Sequence, residues 1–385
     1  MTDLKKGISR FQLLGTVKIN DKTFAINQKG KNNSNYIFNQ LNLGIDCGNS
    51  EPNVIYTTLM DGYDTIKGKT IYCHGERTDD NGKRVDDYEK QILVNFADRE
   101  LENDEIAESC YIVVGIVKDT EGNVIKKKFL SVYDVIAYLK ENLKEGMVVS
   151  VRGNLKFTVY QGKTQMKREL TSIWISNAEK KDFKAAFEQQ VWFTQDGFND
   201  KVDKDGYMPI YGYVVDYYDK DVKNVCYPFS LNINTITMPK YETIIKNYLR
   251  PDKKENVNKV SVEGRWVKTD NTVEVTYEDL SQDLKDQVDL GMLTEEEALG
   301  RVVGNQRGEF KTLFKSICTR KDSTTGAITL LVDKDNSKVE DIVLPPEKTE
   351  AEEVLDSVGS EVKKKTTSDD DGTVSQDVLN DLFGL

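Results

Sequence analysis

A repeated pentapeptide constrains this chain more than any other feature. Val149-Ser150-Val151-Arg152-Gly153 recurs as Val260-Ser261-Val262-Glu263-Gly264. Each copy follows a segment with helical periodicity. Val132, Val135, Ile136, Leu139 and Leu143 share one face of the first, and Tyr241, Ile244, Ile245, Tyr248 and Leu249 share one face of the second. That i, i+3, i+4, i+7 spacing is the mark of a packed amphipathic helix. Both copies read strand, strand, helix, VSVxG strand and a further strand. A unit made twice is weighed before any single motif.

The rest of the first 276 residues alternates apolar and polar side chains in short runs broken by Gly, Asn and Asp, the pattern of half-buried strands. The runs are Phe11–Ile19, Tyr36–Ile45, Asn53–Met60, Tyr111–Lys118, Val148–Tyr160, Thr171–Ile175, Ile210–Tyr217, Tyr227–Ile233 and Val260–Val267. A small barrel with a helix between its third and fourth strands is the OB-fold pattern. The expected fold is mainly β with minor α. Residues 1–180 form an OB-fold domain with insertions and 181–276 a second one. Residues 277–344 form a mainly helical segment with a last short strand at Ile328–Val332. Residues 345–385 form a disordered acidic tail with an apolar tip, because few large apolar residues remain to bury.

Charge is segregated. The net charge of the 385 residues is -12, yet residues 345–385 carry -7 and residues 277–300 another -7. Residues 120–184 carry +6. Such asymmetry says more than the total. No run approaches the roughly 18 apolar residues of a membrane span, and the N-terminus lacks the apolar run of a leader. Five scattered cysteines without a CxxC pair argue against a disulfide framework and for the cytoplasm. One histidine, His74, disfavours chemistry that needs several imidazoles.

Strand parity sorts the first VSVxG strand. Val149, Val151, Leu155, Phe157 and Val159 fall on one side, and Arg152, Lys156 and Tyr160 on the other. The first set fills a barrel and the second meets solvent. Single-strand binders need cations to track phosphates and aromatic faces on which bases stack. Lys163, Lys167 and Arg168, beyond a turn at Gln161-Gly162, extend the basic surface. Lys126, Lys127 and Lys128 read as a loop tip that meets phosphate. Trp174, Tyr213 and Arg265 complete the candidate set, whereas Phe157 and Trp266 belong to the core by parity. Trp192, Tyr211 and Tyr217 are ambiguous.

Other patterns fail. Gly62 to Thr70 has five residues between its glycines where a phosphate loop has four. Asp203-Lys204-Asp205-Gly206 imitates a calcium loop but lacks its first carboxylate and closing Glu, which leaves a turn. Cys47, Cys73, His74 and Cys110 match no standard zinc spacing. No catalytic residue, metal or cofactor is expected.

The tail joins Asp369, Asp370 and Asp371 to Val378, Leu379, Leu382 and Phe383. This design is similar to the acidic tails of bacterial single-stranded-DNA-binding proteins, whose apolar ends dock into partners. With the tandem barrels and the basic strand, the chain resembles a single-stranded-DNA-binding protein of a tailed bacteriophage. The resemblance implies single-strand binding without chemistry, in replication, recombination or repair, in the host cytoplasm. It also implies recruitment of helicase, polymerase or recombinase through Asp369, Asp370, Asp371, Leu379, Leu382 and Phe383. The alternatives are a virion tail or baseplate component built from OB-like barrels, and a nuclease using clustered carboxylates.

Overall fold

The computed structural model describes residues 2–30, 35–79, 82–160, 162–198, 200–219, 222–268, 282–289, 294, 310–322 and 325–346. The chain begins with β1 (Ser9–Lys18), β2 (Phe24–Lys29), β3 (Tyr36–Asp46) and β4 (Val54–Asp64). Two inserted hairpins follow, β5 (Thr70–Thr78) with β6 (Arg84–Asn95), and β7 (Ile112–Lys118) with β8 (Val124–Phe129). Then come helix α1 (Val132–Asn142), β9 (Val148–Tyr160) and β10 (Lys163–Ile175). β1 pairs with β3 and β9, β3 with β4, and β9 with β10. β4 meets β10 in parallel at Thr58–Glu169. The circuit β1-β3-β4-β10-β9 therefore closes into a five-strand barrel, with α1 between its third and fourth strands. The helix starts where the Ser131 side chain accepts from Tyr133 N–H, and it buries Val135, Ile136 and Leu139. Barrel, strand order and helix position are those of an OB-fold.

The pattern repeats in β11 (Lys184–Phe193), β12 (Tyr207–Asp219), β13 (Val222–Asn234), helix α2 (Tyr241–Ile244), β14 (Asn256–Lys268) and β15 (Phe310–Ile317). α2 continues as one π turn, Ile245–Leu249. β11 pairs with β12 and β14, β12 with β13, and β14 with β15. β13 meets β15 in parallel at Asn232–Leu313. This circuit closes as well. Its last strand corrects the expected helix over residues 310–317. Leu313 and Phe314 are buried, and pairing to β13 on one side and β14 on the other overrides a helix-like pattern. Between β14 and β15 the described residues hold helix α3 (Gln282–Asp289). The last strands are a hairpin of β16 (Thr319–Lys321) with β17 (Ile328–Leu330), and β18 (Val332–Lys338), which pairs with β14.

The two barrels share one sheet, in the order β9-β1-β11-β14. β1 and β11 run antiparallel with Phe11 opposite Phe187. A pseudo-two-fold axis therefore passes between the barrels. Phe157 of β9 crosses this junction, with ring centroids 6.2 Å from Tyr227 and 5.9 Å from Phe229. Its backbone N–H donates to the buried Asp216 carboxylate at 3.0 Å, which also pairs with Lys6 at 2.6 Å. Fully burying a Phe side chain contributes about 1.5–3 kcal/mol. The expected core role of Phe157 and Trp266 holds, since both are buried. Trp192 is buried too, in a cluster with Val215, Cys226 and Val257 that Leu4 and Ile342 cover.

The chain divides into two compact units. Met1–Thr158 with Thr164–Pro345 holds both barrels. Val159–Lys163 with Pro346–Leu385 forms the other, of which the β9–β10 hairpin tip and Pro346 are described. No helix among the described residues is long and apolar enough to cross a membrane.

Candidate nucleic-acid interface

On β9 the burial alternates as parity requires. Val149, Val151, Leu155 and Phe157 are buried, whereas Arg152 is exposed and Lys156 half-exposed. The Tyr160 side chain lies outside the described residues. Outward residues of β10 continue this face. Lys163 and Lys167 are exposed, and Glu169 stands 3.7 Å from Lys156. Across the parallel contact lies β4, whose outward side chains are Tyr56, Thr58 and Met60. Tyr56 and Lys167 each stand two residues before that contact on parallel strands. Tyr56 is 41% exposed and lies over Gly44, its cross-strand partner on β3. Lys167 forms no ion pair among the described residues.

The repeat puts the same construction on the second barrel. There the pair two residues before the parallel contact is Tyr211–Ser230, with Tyr211 50% exposed. The tyrosine has moved to the opposite strand of the pair but keeps its place on the barrel. The counterpart of Lys167 is Lys311. It is engaged, 3.1 Å from Asp203 and 3.9 Å from the Tyr207 ring centroid. Tyr211 and the half-buried Tyr213 line a recess of about 450 Å³ with Thr194, Asp196, Gly197, Gly212, Pro228, Phe229 and Ser230. The loops between fourth and fifth strands differ in charge. In barrel one this loop is a tight hairpin beside Lys163, and in barrel two it contains the acidic stretch 277–300.

A row of side chains crosses the shared sheet between the barrels. Arg152 lies opposite Gln12, Gln12 opposite Ala186, and Ala186 opposite Arg265. Directly opposed residues share a face, so both arginines project outward from the same side. They are three strand intervals apart, about 14 Å. Neither forms an ion pair among the described residues. The neighbouring row is compensated instead, with Arg10 on Glu188 at 2.6 Å and Lys315 on Glu263 at 2.7 Å.

Three expectations need correction or reassignment. Lys126, Lys127 and Lys128 lie in β8, paired to β7, and form no loop tip. Their cations are partly engaged, Lys126 and Lys128 with Glu108, and Lys127 4.8 Å from the Tyr138 ring centroid. The hydrogen bond from Lys128 and the charge of Lys126 hold the Glu108 carboxyl below its usual range, against the effect of burial. Arg168 has inward parity. Its guanidinium carbon is 4.0 Å from the Trp266 ring centroid, and burial pushes its pKa down to about 10. Trp174 is half-buried, flat against Gly115. Asp203 closes the expected turn, accepting from the Asp205 and Tyr207 N–H groups. The tail residues Asp369, Asp370, Asp371, Leu379, Leu382 and Phe383 lie outside the described residues.

The sequence reasoning passed over Tyr56. Its signal was present: Ile55, Thr57 and Leu59 form the inward series of one strand, which leaves Tyr56 outward. Cys73, His74 and Cys110 do come together at the β5–β6 hairpin, whereas Cys47 is buried at the end of β3. Among the described residues no group of three or more His, Cys, Asp or Glu is placed to hold a metal ion.

None of the curated proteins matches the sequence. Among solved structures the chain is similar to a deletion mutant of the single-stranded DNA binding protein from Thermus aquaticus, at 9% identity and a TM-score of 0.30, covering 69% of this chain and 89% of that one. The wild-type form of the same protein matches at 10% identity and a TM-score of 0.29, covering 69% and 87%. The YorF family model matches residues 112–311, more than half of the 385 residues, from β7 of the first barrel to the start of β15 in the second. By that match the chain belongs to the YorF family.

Proposed function

We propose that this chain binds single-stranded nucleic acid, DNA in the first instance, on the outer faces of its two barrels and performs no chemistry on it. The observation that carries the reading is an outward, exposed tyrosine at one place in the repeat. Tyr56 stands two residues before the parallel contact on barrel one, and Tyr211 occupies the same cross-strand position on barrel two. Faces of the second and third strands with their flanking loops are the usual ligand surface of OB-folds. Exposed rings accept any unpaired base by stacking, and unpaired cations follow the phosphates. Arg152 and Arg265 join the two faces. Lys156 and Lys163 extend the first, while Arg168, buried on Trp266, serves packing. The free Lys167 and the basic hairpin make barrel one the stronger site. Barrel two, with its engaged Lys311 and acidic connection, is the weaker.

The protein covers single strands in replication, recombination or repair within a bacterial cytoplasm, in a bacteriophage setting. Its acidic tail occupies the cationic face in the absence of DNA, and its apolar tip then recruits helicase, polymerase or recombinase. The test is titration of labelled oligo(dT) and of a duplex of equal length, each at two salt concentrations. Preferential, salt-sensitive binding of oligo(dT) is expected. Equal affinity for the duplex, or affinity indifferent to salt, contradicts the proposal.

A further inference from the structure

The β5–β6 hairpin carries a thiol site unrelated to the barrel faces. Cys110 ends a single 3-10 turn, Glu108–Cys110, and its sulfur faces β5. The backbone N–H of His74 donates to that sulfur at 3.4 Å. The imidazole Nδ1 is also 3.4 Å from it, and Nε2 is 3.9 Å away. Behind the ring, Nε2 lies 3.1 Å from Ser109 Oγ and 3.6 Å from Asp86 Oδ1. Ser109 Oγ donates to the same carboxylate oxygen at 2.8 Å. The Tyr88 ring lies against the imidazole, tilted by 41° with centroids 4.5 Å apart. Hydrogen bonds from Ser109 and Tyr88 hold the Asp86 carboxyl below its usual range. A carboxylate, an imidazole and a sulfur therefore stand in line, the arrangement of a base held beside a thiol.

Cys73 is the neighbour of that sulfur. It precedes His74 on β5 and is buried. Burial first, and then the Cys110 neighbour, push its pKa up to about 11. One thiol of the pair is therefore half-exposed beside an imidazole, and the other is buried one residue before that imidazole, its pKa raised in part by Cys110. The remaining cysteines lack this setting. Cys47 and Cys226 are buried, and burial with Glu188 and Glu263 nearby raises Cys318 to about 11.

We propose that Cys110 is a hydroperoxide-reactive thiol and Cys73 its resolving partner, joined on oxidation in a reversible disulfide that ties β5 to the Glu108–Cys110 turn. The Cys110 thiolate attacks one peroxide oxygen and the O–O bond breaks. Sulfur is oxidised to the sulfenic acid, and the departing hydroxide takes a proton and leaves as water. The Cys73 thiol then attacks the Cys110 sulfur. The S–S bond forms, the S–O bond breaks, and a second water carries away the hydroxyl and the Cys73 proton. A dithiol reductant reverses the change. This is the first part of the cysteine oxidation ladder, with a resolving thiol close enough to stop it before the irreversible steps.

The experiment uses the full chain and hydrogen peroxide. After exposure, free thiols are blocked with N-ethylmaleimide and peptides are mapped by mass spectrometry. One linked pair containing Cys73 and Cys110 is expected, released by dithiothreitol, with Cys47, Cys226 and Cys318 alkylated. Cys73→Ser should leave a dimedone-reactive sulfenic acid at Cys110. His74→Asn should slow Cys110 oxidation about tenfold near pH 7 and much less near pH 10, where reaction at sulfur needs no neighbouring base. A purely structural role for His74 would not produce that pH-dependent difference. Absence of both the link and the dimedone label at Cys110 overturns the proposal. So does equal oxidation of all five cysteines in the folded protein.

Discussion

Phe11 and Phe187 stand directly opposite each other across the β1–β11 ladder, each with its ring over the glycine of one VSVxG copy. A Cβ on Gly153 would come 2.7 Å from Phe11 Cε1 and 2.0 Å from the Glu169 carbonyl oxygen. On Gly264 it would come 2.1 Å from Phe187 Cζ and 2.5 Å from the Leu313 carbonyl oxygen. Glu169 and Leu313 are the residues that make the parallel contact closing each barrel. The repeated glycine therefore marks the place where a ring and the fifth strand crowd the fourth. Backbone carbonyls cannot swing away, so Gly153→Ala and Gly264→Ala should each destabilise the fold by about 1–3 kcal/mol, the usual range for overpacking. Chemical denaturation checks this, and unchanged midpoints would show that the barrels widen at that point.

The two tyrosines test the interface. Tyr56→Ala and Tyr211→Ala should each weaken oligo(dT) binding, within the roughly 1–3 kcal/mol measured for base–aromatic stacking. Tyr56 should matter more, because Lys167 of barrel one forms no ion pair among the described residues, while its counterpart Lys311 is held by Asp203. Both rings are about half exposed, so thermal midpoints should move little. Fluorescence titration with oligo(dT) measures the ranking, and a larger loss for Tyr211→Ala would reverse the assignment of the stronger barrel.

The arginine row should show in salt dependence. On single strands each phosphate neutralised contributes about 0.7 to the slope of log affinity against log salt. Arg152→Gln and Arg265→Gln should each lower the slope by about that amount if the side chain meets a phosphate. The same change at Arg10, already paired with Glu188, should leave the slope alone. Identical slopes for all three variants would place the strand elsewhere.

Arg168 behaves differently. Its charge is buried against Trp266, so Arg168→Met should leave oligo(dT) affinity intact. Removing a buried cation while keeping volume should be neutral or stabilise by about 1 kcal/mol at pH 7. The pH trend has a definite sign. The folded-state pKa of about 10 lies below the ordinary arginine value. Between those values the unfolded chain holds the proton that the native one has released, so the native contribution rises with pH. The gap between wild type and Arg168→Met should therefore narrow above about pH 10, as alkaline thermal melts can show.

Much of this was legible in the sequence because side-chain parity and the repeat carry it. The alternation at Val148–Tyr160 assigns Phe157 inward and Arg152 outward, as found. The two helices are also where their apolar spacing puts them. What period could not supply was strand closure. Phe310–Ile317 looks helical in isolation, and two partners distant in sequence make it a strand. Tyr56 was hidden for a related reason. Its meaning depends on which strand lies beside it, and β10 arrives more than a hundred residues later. Arg168 shows the limit of reading cations as surface, since its neighbours Lys167 and Glu169 carry the outward parity.

The last prediction concerns residues beyond Pro346. They follow a chain segment tied to barrel two, where Cys226 N–H donates to the Val343 carbonyl at 2.8 Å. Residues 345–385 carry a net charge of -7. Attachment to the same chain gives them a high effective concentration near the cationic faces. If they occupy Arg152, Lys167 and Arg265 in the absence of DNA, binding must displace them, and screening by salt shrinks that cost. Deleting residues 366–385 removes Asp369, Asp370, Asp371, Asp377 and Asp381 with no basic residue. The truncated protein should bind oligo(dT) more tightly at low salt and equally at high salt. It should also lose replication or recombination partners, because Leu379, Leu382 and Phe383 go with it. Titrations of both forms at two salt concentrations read the first effect, and binding assays with purified helicase, polymerase and recombinase read the second. An affinity gain that persists at high salt would trace the effect to something other than charge. Unchanged affinity together with unchanged partner binding would remove the tail from the mechanism.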